Sequence, residues 1–377
     1  MLRTTMVMGW VVAFACGGCS SGAPADGQAI ADPNEVRLDA PAQIVNTKGK
    51  RLEWQRRLSS RDIAPRSTLR RTPPSSAKAN AEIVPRRSMP DVASMSIDEL
   101  AEHLRPRTLH KGNEYLGAPD YELAAKVKSA KGTEMTASYE GPPGDSLSRS
   151  VHAVIGSDTR FYASTPTIWP NRTEVWLDTG CSGTIVGPST IISSAGCVYD
   201  QSGWLPLPLL IPAADSSQSE PSPYGEHGCY SVTIPADYNG GVGYADYAVF
   251  ELSGCDDFVG NSTGWKGLMI VSVANANGLL VKLTGFPLDK SPYPGEFSGS
   301  GNTLTTSEYP WYLFHSIDTG PGERGAPVTR WVGGTTYAVV GINAGYWGTT
   351  GSPPGDYNFG AMMDSTAYNF IIDNSAL

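Results

Sequence analysis

The chain predicts an all-β protein, a sandwich or a pair of small barrels, behind a long extension with little regular structure. Three observations carry this. From Val151 onward, short apolar or alternating runs such as "RTEVWLD", "GTIVG", "YSVTIP", "YAVFEL", "LMIVSV", "LLVKLTGF", "WYLFHSI" and "YAVVGI" are separated by Gly, Pro, Asn and Asp, the texture of many short strands joined by turns. Composition agrees: 42 Gly and 29 Pro stand against only 17% charged residues, which disfavours a helical protein. Length agrees too, because the 227 residues from 151 to 377 suit two small barrels packed together.

Four segments follow in order. Residues 1–19 read as an export signal: Arg3 precedes an apolar stretch from Met6 to Ala15, too short to span a bilayer. It ends in "ACGGCSSG", which resembles a bacterial lipoprotein cleavage site, with Cys19 the expected lipidated residue and Cys16 the alternative. Export also favours disulfides. Residues 20–90 read as a linker without sustained apolar period; residues 48–90 hold 12 Lys/Arg against 3 Asp/Glu, whereas 151–377 hold 7 against 20. No nucleic-acid-binding fold accompanies the basic stretch, so a tether leaning on an anionic surface or on the acidic domain is expected.

Residues 91–149 read as a pro-segment-like region. "SMSIDELAEHL" offers a Ser N-cap, an acidic first turn and Ile97, Leu100 and Leu104 on one face, which predicts a helix. "YELAAKVKSAKG" predicts a second one ending at Gly132. Residues 150–377 form the main domain.

Six motifs stand in order there: "VIGSDTR" (154–160), "CSGTIVGPSTIISSAGCVYD" (181–200), "DYAVFEL" (246–252), "LTGFPLDK" (283–290), "GERGAPV" (322–328) and "VVGINAG" (339–345). Together they resemble trypsin-like serine peptidases, in particular the bacterial glutamyl-endopeptidase branch, from Val154 to the C-terminus. The resemblance implies two six-stranded antiparallel barrels. It also implies a triad in which Ser attacks, His takes its proton and Asp orients the His.

Carried over residue by residue, the triad is incomplete. Asp246, heading the "DYA" strand, is retained. Gly196 stands where the family has His, and Arg324 where it has Ser. Gly has no side chain, and a guanidinium stays protonated, so neither supplies the missing base or nucleophile. Backbone N–H groups of Gly322 and Arg324 would form the oxyanion hole. The resemblance further implies an acid-recognising pocket, in which Thr319 matches and Asn343 replaces a His.

Removal of the imidazole would leave Asp246 without its usual partner, and a buried unpaired carboxylate is costly. Arg324 is therefore expected to turn inward and bond Asp246. Glu323 matches the acidic residue that in trypsin binds a freed N-terminal amine; a partner in Arg324 or solvent is the plainer expectation. Arg149–Ser150 is the expected processing site. His152 reads as exposed linker, His227 as a solvated loop residue and His315 as structural.

The resemblance pairs Cys181 with Cys197, 16 positions apart, a loop whose closure stabilises by about 3 kcal/mol in the chain-entropy model. Cys229 and Cys255 remain as the second pair. Scattered histidines give no zinc motif, and no phosphate-cradling glycine loop is present, so neither metal nor cofactor is expected.

The functional expectation is an exported, lipid-anchored pseudo-peptidase that binds protein or peptide in its cleft, with contact to a membrane through its N-terminus and none to nucleic acid. The alternatives are an active endopeptidase with a rebuilt centre, and a structural surface lipoprotein whose cleft is filled by its own 91–149 segment.

Overall fold

The computed structural model describes residues 43–46, 48–58, 95–131, 154–241, 245–305, 309–347 and 357–376. The expected export signal, Cys16 and Cys19, the expected processing site Arg149–Ser150, and His152 lie outside them.

Strand formation follows the apolar runs. β5 (Glu174–Leu177), β6 (Cys181–Ile185), β7 (Thr190–Ser193), β8 (Leu210–Pro212), β9 (Ser231–Pro235) and β10 (Ala248–Glu251) lie in the spatial order β9-β10-β7-β6-β5-β8. Every neighbouring pair is antiparallel. An isolated bridge joins Leu210 of β8 to His227, four residues ahead of β9. The interior of this set is packed by Val175, Leu177, Ile191, Val232 and Phe250, each inaccessible to solvent. These strands read as continuous apolar runs because both faces are covered.

A second set, β11 (Leu280–Gly285), β12 (Phe297–Leu304), β13 (Tyr312–His315), β14 (Pro327–Gly333), β15 (Thr336–Trp347) and β16 (Tyr357–Met362), runs β15-β14-β11-β12-β13-β16. β16 then pairs back onto β15, so these six strands close into a barrel. Closure removes the free edges that a flat sheet would expose. Leu283, Leu313, Val328 and Val340 fill it. The run "LMIVSV" departs from its predicted strand. Only Gly267–Leu268 pair, with Ala338–Val339, and Ser272 then caps a one-turn helix by accepting from Asn275 N.

The extension differs most from its sequence reading. β1 (Gln43–Val45) and β2 (Arg51–Arg57), inside the stretch read as linker, form a hairpin. β3 (Pro106–His110) and β4 (Asn113–Gly117) pair with each other, β2 pairs with β4, and β3 pairs with β9. The first six strands are thus part of a ten-stranded sheet. The linker reading missed β2 because its burial is confined to Leu52 among exposed, charged residues, which leaves no apolar period to detect.

The two predicted helices are present. α1 (Ile97–His103) carries a full capping box: Ser96 accepts from Glu99 N, and the Glu99 carboxylate accepts from Ser96 N. α2 (Tyr121–Lys131) follows. Leu100, Leu104, Leu123 and Val127 join one apolar cluster with Val249 of β10, Ile342 of β15, and Phe370 and Ile371 of the C-terminal helix α3 (Ser365–Asp373). Lys50 reinforces this junction by bonding Asp120 and Asp373. The described part of the 91–149 region therefore contributes side chains to the core.

Candidate active site

The candidate site is assembled from the end of β7, the turn after it, the residues before β10 and the loop between β13 and β14. The 181–197 disulfide forms with an S–S distance of 2.05 Å and ties the turn of Gly196 to β6. The second expected bridge, Cys229–Cys255, is also formed. A third tie comes from Ser182, whose N–H donates to Arg324 O and whose Oγ donates to Gly322 O. The loop's glycines are demanded by its shape. Gly322 has φ +97°, and a Cβ there would sit 2.4 Å from Phe286 O.

Arg324 turns inward, as expected. Its Nη2 donates to Asp246 Oδ2 at 2.7 Å and to Tyr238 OH at 3.1 Å, and its Nε donates to Ser194 Oγ at 2.8 Å. Burial opposes the guanidinium charge, yet Asp246 and Tyr238 together outweigh it and the Arg324 pKa rises. Asp246 is wholly buried, whereas the Arg324 side chain stays 16% exposed. The carboxylate also accepts from Gly196 N at 2.9 Å and from the Ser194 hydroxyl.

The decisive geometry is at Gly196. A Cβ built there would lie 2.0 Å from Arg324 Nη2 and 2.1 Å from its Cζ. The guanidinium thus fills the volume that any side chain at position 196 would enter. The exchange is coupled: glycine at 196 makes room, and arginine at 324 takes the carboxylate.

Thr319 and Asn343 are both buried. The Asn343 amide donates to Glu323 O at 2.8 Å, and its oxygen faces His315 Nε2 at 3.2 Å, so it braces the loop. Burial pushes His315 down to about 4, partly offset by Asn343, so the ring is neutral near pH 7. His227 bonds Asp257 and Tyr224 O, a committed position rather than the solvated one expected. Among the described residues, the hydrogen bonds to Asp246 come from Ser194, Gly196 and Arg324, with no histidine involved.

Glu323 corrects an expectation: its partner is Arg160. The ion pair spans 3.1 Å with both side chains 1% exposed, and Gly320 N donates to the same carboxylate oxygen. Burial pushes the Glu323 carboxyl up to about 7 against the pull of Arg160. Sequence reasoning missed Arg160, Ser194 and Tyr238 as site members. Tyr238 precedes Asp246 by eight positions in a turn-rich stretch, and no periodicity marks a residue that acts through one hydroxyl.

Among the described residues, no group of three His, Cys, Asp or Glu is placed to hold a metal ion, and no helix is long and apolar enough to cross a membrane.

The described strands bear out the all-β expectation, and Asp246 and the loop of Arg324 meet in space. No protein-family model matches the chain. It is 28% identical over 278 residues to an extracellular metalloprotease of Bacillus subtilis, covering 66% of this chain and 82% of that protein. It is also 28% identical over 184 residues to a glutamyl endopeptidase of Bacillus licheniformis, covering 48% of this chain and 55% of the relative. The chain thus spans just over half the length of that second relative, whose branch is the one the motifs resemble. Among solved structures, a Glu endopeptidase in complex with MPD aligns with a TM-score of 0.49 and 22% identity, over 58% of this chain and 97% of that one. The thermostable serine protease AL20 aligns with a TM-score of 0.41 and 20% identity, over 53% and 95%.

Proposed function

We propose that this protein is an exported peptidase homologue that has lost hydrolysis and binds a protein or peptide segment in the inherited cleft, held at a membrane through lipid on Cys19. One observation carries the reading: the Arg324 guanidinium occupies the space beside Gly196 and bonds Asp246. Peptide hydrolysis by this fold requires a group that accepts a proton and a nucleophile that loses one. A guanidinium paired with a carboxylate does neither. Loss of the Ser or the His alone costs about 10⁶ in kcat in a related chemistry, and both are replaced here.

The two disulfides fit an exported chain. Thr319 is buried within the loop and Asn343 braces it from β15, so neither lines an open acid-recognising pocket, and what they support is the retained form of the loop. The reading in which the 91–149 segment fills the cleft gains no support from its described part, which packs on β9 and α3.

The test uses the chain from residue 20 and fluorescein-labelled denatured casein, followed by polarisation and by gel. Saturable binding without fragments is expected. Absence of binding, or appearance of fragments that vanish with Asp246→Asn, would overturn the reading.

A further inference from the structure

Arg160 immediately precedes Phe161–Tyr162, which pair with Phe297–Ser298 of β12, and is almost wholly buried, its side chain 1% exposed. Nε and Nη2 donate to the two oxygens of Asp158 at 3.1 and 3.0 Å. Nη1 and Nη2 donate to Asp289 at 3.1 and 2.6 Å, and Nη1 also donates to Glu323 at 3.1 Å. Lys290 pairs with Asp158 from outside. One guanidinium therefore holds three carboxylates, and all five polar N–H groups of such a fork suit this task as an ammonium would not.

Glu323 lies next to Arg324 and is tied both within its own loop and to β15. Its Oε2 accepts from Gly320 N at 2.5 Å, and its carbonyl accepts from Asn343. Gly320 is shaped by the same guanidinium, because a Cβ there would stand 2.2 Å from Arg160 Nη1. A parallel tie lies two residues earlier. Asp318 accepts from Ile155 N at 2.6 Å and from Thr159 N and Oγ1 at 2.7 and 2.6 Å. Residues 155–160 and 318–324 thus form one hydrogen-bonded block directly adjoining Arg324.

We propose that Arg160 is the positioning residue of this cleft, fixing the loop of Asp318–Arg324 from within the same piece of chain, so that severing the chain ahead of Val154 leaves the cleft as it is. Every group in the block lies at or after Ile155, on the C-terminal side of the expected cut at Arg149–Ser150. The charge that Glu323 requires is supplied by a side chain present before and after such a cut. Proteolysis would change what is attached to the domain and not the shape of its site. The inference is independent of whether the cleft binds a peptide.

The experiment is hydrogen exchange on the chain from residue 20, with a specific protease site placed over residues 144–150, measured uncut and cut. Amides of 318–326 are expected to exchange within about twofold of each other in the two forms, whereas a change of about tenfold or more on cutting would overturn the proposal. In the Arg160→Met variant these amides are expected to exchange at least about tenfold faster while those of 174–193 stay as in the parent, and Arg160→Lys recovers part of the protection. Unchanged protection of 318–326 in Arg160→Met would also overturn it. Should that variant not fold, Glu323→Gln serves: it keeps the acceptor for Gly320 N, and exchange of 318–326 rises by about threefold if the charge holds the loop, or not at all if the proposal is wrong.

Discussion

Arg324 and Gly196 answer for each other, which makes their substitutions non-additive. Gly196→His alone drives a side chain into the guanidinium, with the Cβ already 2.0 Å from Nη2, and is expected to cost about 1–3 kcal/mol by overpacking. Arg324→Ala alone leaves the Asp246 carboxylate with only Ser194 and Gly196 N, and breaking a buried pair costs about 3–5 kcal/mol. Gly196→His combined with Arg324→Ala is expected to recover at least about 1 kcal/mol over the sum of the singles, since residues in contact couple by that much. Urea titration of the four proteins checks the cycle.

His315 gives a pH prediction at the same scale. Its folded pKa, about 4, lies below its ordinary value near 6.5. Between these values the unfolded chain binds the extra proton, so stability from this residue rises with pH across 4 to 6.5 and is flat above. Full expression of that shift is on the order of 3 kcal/mol. Glu323, raised to about 7, works in the opposite sense from about 4.5 to 7, so the informative quantity is the difference between parent and His315→Gln. That difference is expected to shrink as pH falls through this window, read by denaturation at pH 4 and pH 7.

At the scale of elements, legibility tracked local pattern. The capping box of α1 was readable because Ser96 and Glu99 stand at fixed spacing before an apolar face. β6, β10 and β15 were readable as apolar runs. β2 and β3 were not, because their role is to add an edge to a sheet: Leu52 of β2 is buried among charged neighbours, and β3 is bound by its backbone to Ser231–Pro235. Backbone pairing leaves little trace in side-chain pattern. At the site, Gly196, Asp246 and Arg324 were legible by motif order, while Arg160 lies 163 positions from Glu323 and only folding brings them together.

These elements carry a prediction about cutting the protein down. A fragment starting at residue 150 lacks Leu100, Leu104, Leu123 and Val127, and burial of each such side chain is worth about 1.5–3 kcal/mol. It also leaves β9 with an open edge, a template for pairing with other chains. Relative to the chain from residue 40, the fragment is expected to melt at least about 10 °C lower and to aggregate. Equal melting temperatures by calorimetry would show that the extension is an accessory after all.

Across the whole molecule, the ties converge on one framework. The Ser182 contacts hold the first set of strands to the loop of Arg324, the Cys181–Cys197 disulfide fixes the turn of Gly196, the Arg160 block fixes that loop to residues 155–160, and the cluster of α1, α2 and α3 joins Val249 of β10 to Ile342 of β15. The result is a loop braced from several elements, above a buried aspartate that anchors an arginine.

The most direct measurement is endopeptidase activity of the purified chain from residue 20 on denatured casein, beside its Asp246→Asn variant. The account predicts that both release peptides no faster than buffer does. Turnover by the parent that disappears in Asp246→Asn would contradict it, because the carboxylate would then be serving a catalytic centre and not a salt bridge.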